Sequence, residues 1–452
     1  MVQGVDAAVS TVVVGTAYHA PTARELETLR DVAVVVGDDG VIQSVLPASS
    51  ADATAAVERA SSTVRLGAHE RLLPGLIDTH IHAPQWVQLG TGLDIPLDRW
   101  LFEYTFPLEA RYADEGFARQ VWSRMVPTML RHGTTTAVYY STIHEGATTA
   151  LAEACVEHGQ RAFVGRVGMD HAQGTPEWYR DRDATSGIDA SARSVDAIRA
   201  LGNQLVEPII TPRFAPACSD DLLRGLGDLA RATGTRVQTH CSESDWEHGH
   251  AFERFGMSDT RALDSFGLVN RSTVLAHGDH LTDADLDMIG AVGAGVAHCP
   301  LSNAYFANAV FPLRRALSRG VHVGLGSDVS GGAHPGLLPQ CTHAVTASRY
   351  LEDGVDATLP ADRRGVPDSR VDIVAAFHVA TKGGADLLGI NAGVIAPGNV
   401  FDAFVVDCDA RTSGLEFWEG IDDDERLFEK IVRLAGPEDI TSVWVSGRRV
   451  VV

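Results

Sequence analysis

The apolar positions of this chain fall into three regimes. Residues 9–70 carry short β-branched runs, TVVVGTAYH (11–19), DVAVVVGD (31–38), VIQSVL (41–46) and STVRLGA (62–68), separated by polar or glycine-bearing turns. Each run reads as a strand. The same texture returns at the other end in FDAFVVDCD (401–409) and TSVWVSGRRVVV (441–452). Two β-rich ends around a different middle imply that the termini meet in one small sheet domain, a β-sandwich built from residues 1–70 and 397–452. Between them, helical stretches such as 190–205, 220–234 and 282–294 alternate with short apolar strands. Eight strands are expected there, ending near His82, Tyr140, Met169, Arg213, His240, His277, His298 and Asp328. Helical connections between eight strands predict an α/β fold, a (β/α)₈ TIM-like barrel over residues 71–396, with chemistry at the C-terminal strand ends. Residues 173–190, polar and tryptophan-bearing, read as a surface excursion.

Polar residues recur at those strand ends: His80 and His82 in DTHIH, His240 and Glu243 in THCSE, His277 in LAHGD and Asp328 in LGSDVSGG. A strand alternates faces with period two, so His80 and His82 point the same way and can hold one ion. Imidazole with carboxylate and no thiolate suits Zn²⁺, and an incomplete ligand shell keeps a place for water, which implies hydrolysis. A lone H-x-H is weak; the ordered set at strand ends is specific. His298, also at a strand end, reads as structural.

Composition narrows the partners. A chain of 452 residues with 45% hydrophobic content can bury a large core. The formal net charge of −22 argues against nucleic acid or an anionic membrane surface and is compatible with a small neutral substrate. Cys155, Cys218, Cys241, Cys299, Cys341 and Cys408 show no paired spacing, so buried free thiols in a reducing cytoplasm are expected. The first twenty residues lack a basic leader, and their apolar run is too short and too β-branched for a signal or membrane helix.

Taken with the segments PGLIDTHIHAPQ (74–85), LDIPLDRWLFEYTFPLEARY (93–112), ITPRFAPACS (210–219), HCPLSN (298–303) and GLGSDVSGG (324–332), these motifs resemble the amidohydrolase superfamily and, within it, the branch that deaminates guanine. HAPQ, YTFP and TPRF are the branch-specific parts. The resemblance implies one Zn²⁺ per chain on His80, His82, His240 and Asp328, with Glu243 as proton shuttle and His277 beside the attacking water. It places Gln85, Arg213 and Phe214 against the purine. No lysine matches the bridging position of two-metal relatives, which implies a mononuclear centre. A homodimer acting in purine catabolism is expected from the same source. Without the resemblance, Arg213 reads as a strand-end salt bridge and Gln85 as a loop hydrogen bond. Among nearby aromatics only Phe214 is assigned to the base; Trp100, Phe102, Tyr104 and Phe106 read as filler. The competing readings are a deaminase of another amino-heterocycle (8-oxoguanine, a pterin, cytosine or a triazine) on the same zinc barrel, and a scaffold that has lost its chemistry.

Overall fold

The computed structural model describes residues 9–411 and 413–450. Residues 1–8, where the absence of a basic leader was read, and 451–452, the end of the last β-run, lie outside them. The β-rich ends do meet. Strands Val9–Thr22, Glu25–Gly37, Ile42–Pro47, Ser62–Arg65 and Glu70–Pro74 join Ala403–Asp407, Ile440–Val445 and Arg448–Val450 in one eight-stranded sheet. Its pairing is antiparallel except where Val9–Thr22 meets Ser62–Arg65 and Glu70–Pro74. The sheet buries Val13, Val34, Leu72, Phe401, Val405 and Trp444 together, as the alternating runs require.

The middle of the chain is a closed parallel barrel: β1 (Leu76–His82), β2 (Thr134–Tyr140), β3 (Arg161–Gly165, continued by Val167–Gly168), β4 (Val206–Pro212), β5 (Arg236–Cys241), β6 (Thr273–His277), β7 (Gly295–His298) and β8 (His322–Leu325). Pairing of β4 with β5 and of β8 with β1 completes the ring. Barrel strands are buried on both faces, which is why burial runs continuously along segments such as Leu76–His82 and Thr134–Tyr140 rather than alternating. Ile77, Val138, Phe163, Ile209, Val274 and Ala297 form one apolar cluster with Ala385, Leu387 and Leu388 of the helix Gly384–Leu388.

Two connections position the site. The sheet strand Glu70–Pro74 passes into β1 through Gly75, where a Cβ would lie 2.2 Å from Thr135 Oγ1, so only glycine permits this approach. The terminal sheet thus feeds directly into the strand that carries His80 and His82. The 173–190 segment is only partly a surface excursion. Trp178 is 60% exposed, but Tyr179 and Asp181 are buried, and Arg166 pairs with Asp181 beneath the surface. A buried ion pair fastens the segment to the barrel, and hydropathy alone reads those charges as solvated.

All six cysteines are buried and unpaired. Among the described residues no helix is long and apolar enough to cross a membrane. His298 is buried and packs on the Phe311 ring, 5.1 Å between centroids, as a structural residue would.

Candidate active site

The six residues of the expected metal and proton-transfer set lie at the C-terminal mouth of the barrel. β1 delivers His80 and His82, β5 delivers His240 with Glu243 just beyond it, β6 ends on His277, and Asp328 follows β8. All are buried. His80, His82 and His240 each offer a ring nitrogen within 4.8 Å of the others. His82 Nε2 lies 2.9 Å from His240 Nε2, and Asp328 Oδ1 lies 3.1 Å from His80 Nε2 and 3.8 Å from His82 Nε2.

The donor set fits a cation. His240 Nδ1 is 2.6 Å from the Arg213 carbonyl oxygen, which can only accept, so the hydrogen sits on Nδ1 and the lone pair of Nε2 faces inward. Burial holds His82 and His240 well below the usual histidine range, which keeps both neutral and able to ligate. Neither nitrogen of the buried His80 has a partner at hydrogen-bonding geometry, although Asp328 is close. Such orphans normally cost about 1–3 kcal/mol each, and neutral imidazole nitrogens crowded on a carboxylate around a common centre are a donor set that a metal ion would satisfy.

Neighbouring side chains orient the rest. His277 Nδ1 is 2.9 Å from Asn303 Oδ1, and Asn303 Nδ2 donates to Asp279 Oδ1 at 2.6 Å. Because the amide nitrogen is committed to Asp279, its oxygen must accept, so His277 carries its hydrogen on Nδ1 and aims the Nε2 lone pair into the site. Nε2 lies 3.8 Å from Glu243 Oε1. Burial, with the Asp328 charge second, pushes Glu243 up to about 8. A proton is therefore available on this carboxyl at neutral pH. His277 and Asp328 hold left-handed backbone, φ 74° and 46°, and strain of this kind, about 1–3 kcal/mol each, concentrates at functional sites. A Cβ at Gly331 would lie 2.7 Å from Asp328 Oδ2, so the glycine after LGSDVS makes room for the carboxylate.

Beside this cluster is a pocket lined by the polar side chains of Gln85, Arg213, His240, Glu243 and Asp328 and by Leu97, Trp100, Leu101, Phe214 and Phe306, apolar walls with a few converging polar groups, as small-molecule sites have. Trp100 thus belongs to the pocket rather than to filler. Phe102 and Tyr104 are 41% exposed, and Phe106 lies under the Arg213 guanidinium at 5.0 Å. Arg213 is both a salt-bridge partner and a pocket wall: Nη1 and Nη2 donate to Glu109 Oε2 and Oε1 at 2.6 and 3.1 Å. Gln85 Nε2 donates to Glu109 Oε1 at 3.1 Å, and Gln85 Oε1 accepts from the Ser330 backbone N–H at 3.1 Å. Tyr179 donates to Glu109 Oε2 at 3.0 Å. Sequence reasoning missed Glu109, Tyr179, Asp279 and Asn303. The available signal was an acidic residue within the otherwise apolar FPLE turn and an asparagine closing HCPLSN.

A parallel barrel with imidazoles and carboxylates gathered at its mouth defines the class of metal-dependent hydrolases, and the chain belongs to the amidohydrolase family, whose model matches residues 71–450. It is 34% identical to the guanine deaminase of Dictyostelium discoideum, covering 96% of this chain and 97% of that one, and 33% identical to the guanine deaminase of Homo sapiens, covering 97% and 96%. Among solved structures it is similar to the guanine deaminase of C. acetobutylicum with guanine bound in the active site, at a TM-score of 0.86 and 28% identity over 98% of this chain and 100% of that one.

Proposed function

We propose that this chain is a zinc-dependent aminohydrolase that converts guanine and water to xanthine and ammonia. The observation that carries the reading is the juxtaposition of Glu243 and Asp328 with the Arg213–Gln85 wall in the lining of one pocket. Support comes also from the full-length similarity to proteins named guanine deaminase and from the guanine held by the C. acetobutylicum relative.

His80, His82, His240 and Asp328 would hold one zinc ion. When bound, it supplies Lewis acidity that brings the pKa of water to about 7. Asp328 accepts the proton that water loses as its oxygen bonds to C2 of guanine. Glu243 gives its proton to N3 as the C2–N3 double bond opens. Transfer of the Asp328 proton to the exocyclic nitrogen lets ammonia leave as the C2–N2 bond breaks, and return of the remaining hydroxyl proton to Glu243 forms the new carbonyl, so both carboxyls end as they began. His277 faces the same space with a lone pair. Arg213 donates to O6 and Phe214 packs on the base. Adenine would turn an amino group toward Arg213 and leave a buried donor unsatisfied, at about 1–3 kcal/mol.

We further propose that residues 1–70 and 397–452 form one composite domain around a 71–396 catalytic barrel, and that the protein works as a homodimer in the cytoplasm, where six buried thiols stay reduced. The deciding experiment is an absorbance assay of the zinc-loaded protein against guanine, 8-oxoguanine, adenine, cytosine, pterins and the triazine ammeline. Guanine should have the highest kcat/KM; a different leader reassigns the substrate while leaving the hydrolytic machinery in place.

A further inference from the structure

The group that ties the pocket wall together takes no part in the steps above. Glu109 is fully buried, and its two oxygens receive four hydrogen bonds: Gln85 and Arg213 Nη2 on Oε1, Arg213 Nη1 and Tyr179 on Oε2. Two parallel N–H···O bonds fix a guanidinium in orientation as well as position. They also cancel its charge, so the cavity meets a neutral pair rather than a bare cation. Glu109 sets the Gln85 amide too. Turned over, the amide would put its oxygen against a carboxylate oxygen and its NH₂ against the Ser330 N–H, so only one of the two orientations satisfies both neighbours.

We infer that Glu109 is a positioning residue that determines specificity: by holding Arg213 and Gln85 and neutralising the guanidinium, it makes the cavity select a neutral ring that presents a carbonyl beside an N–H to this wall over rings that present an amino group there and over ring anions. This rests on the guanine reading for the identity of the ring, not for the role of Glu109.

The test is Glu109→Gln, which keeps the shape and removes the charge, measured alone and with Arg213→Met. Loss of a charge-assisted contact should lower kcat/KM for guanine about 10–100-fold, expressed mainly in KM, with zinc content unchanged and the guanine-to-adenine ratio narrowed. Inhibition by xanthine should tighten in Glu109→Gln as pH rises and the product ionises, because an uncompensated Arg213 attracts the anion; the wild type should show no such tightening. In the Arg213→Met background, Glu109→Gln should cost clearly less than it does alone, since one of the two residues through which it acts is gone and only Gln85 remains. Tyr179→Phe, which takes one donor from Glu109 and leaves the ion pair, is the second variant and should narrow the same ratio by a few-fold, the worth of one such hydrogen bond. Additive losses in the double variant, or an unchanged guanine-to-adenine ratio in both Glu109→Gln and Tyr179→Phe, would overturn the inference. If the wild type prefers another base, the guanine reading fails, and the same cycle run on that base still decides the role of Glu109.

Discussion

Replacement of Asn303 separates orientation of the site from its ligand set. The buried His277 ring is fixed through one side-chain hydrogen bond, Nδ1 to Asn303, while Nε2 has no partner. Asn303→Leu keeps the approximate volume and removes both the acceptor for His277 and the donor for Asp279. The freed imidazole can then place its hydrogen on Nε2, toward the reacting atoms. Outer partners that set a histidine tautomer at a metal centre are worth about 10–100-fold in activity or metal affinity. The two buried groups left unpaired should add about 1–3 kcal/mol of destabilisation each. Asn303→Asp gives the sharper result. Asp279 is already pushed well above the usual carboxylate range by burial, with Glu243 second. A second carboxyl beside it must share a proton with it, and the shared proton restores the donor to Asp279 while leaving an oxygen for His277. The folded-state affinity of the pair for that proton is raised, so the restored arrangement is present at low pH and lost as pH rises. The ratio of kcat/KM in Asn303→Asp to that in wild type should therefore climb as pH falls from 8 to 6, whereas for Asn303→Leu it should stay flat. The assay is guanine turnover at saturating zinc, with metal content measured on the same samples. An Asn303→Leu enzyme within threefold of wild type, or a pH-independent ratio for Asn303→Asp, would refute the relay.

His240→Ala should remove both bound zinc and activity, against about one zinc per chain in the wild type by emission spectroscopy; a wild-type ratio near two would exclude the single-ion assignment. Glu243→Gln should retain the metal and lose about 10²–10⁴-fold, mainly in kcat, because the amide keeps the shape and carries no transferable proton. Arg166→Ala strands the buried Asp181, and breaking such a pair costs about 3–5 kcal/mol. At about 1 kcal/mol per degree for a chain of this length, Tm by calorimetry should fall by roughly 3–5 °C, and guanine KM should rise as Tyr179 loosens.

The catalytic half of this site was legible because each group sits at, or within three residues of, the end of an apolar strand. Fold and chemistry mark the same position there. His82 and His277 end their strands, Glu243 lies two residues beyond Cys241, and Asp328 three beyond Leu325. Of the recognition half, Gln85, Arg213 and Phe214 were named through the family resemblance, while the residues that hold them were not. Glu109 finds its partners 24, 70 and 104 residues away, in Gln85, Tyr179 and Arg213. An acid on a short helical turn looks like a solvated charge until the packing that buries it is known. Tyr179 stands next to the exposed Trp178 among polar residues, and nothing in hydropathy separates the two. The left-handed backbone of His277 and Asp328 was likewise not legible, since histidine and aspartate enter that region more often than most residues but still only rarely.

That division has a physical basis. The strand ends are fixed by pairing all round the barrel, so groups placed there keep their mutual distances whatever the loops do. Glu109 and Trp100 arrive on the excursion between β1 and β2, Tyr179 on the one after β3, and Arg213 just past β4. These segments can vary in length and sequence without moving the histidines. The cost of a mismatched ring is also set in them, because a buried donor facing a donor is penalised wherever the donors are supplied. On the proposed reading, substrate choice is a property of how three separate excursions meet over Glu109, and hydrolysis a property of the barrel beneath. Substitutions in the first set should redistribute activity among amino-heterocycles, and substitutions in the second should abolish it for all of them alike.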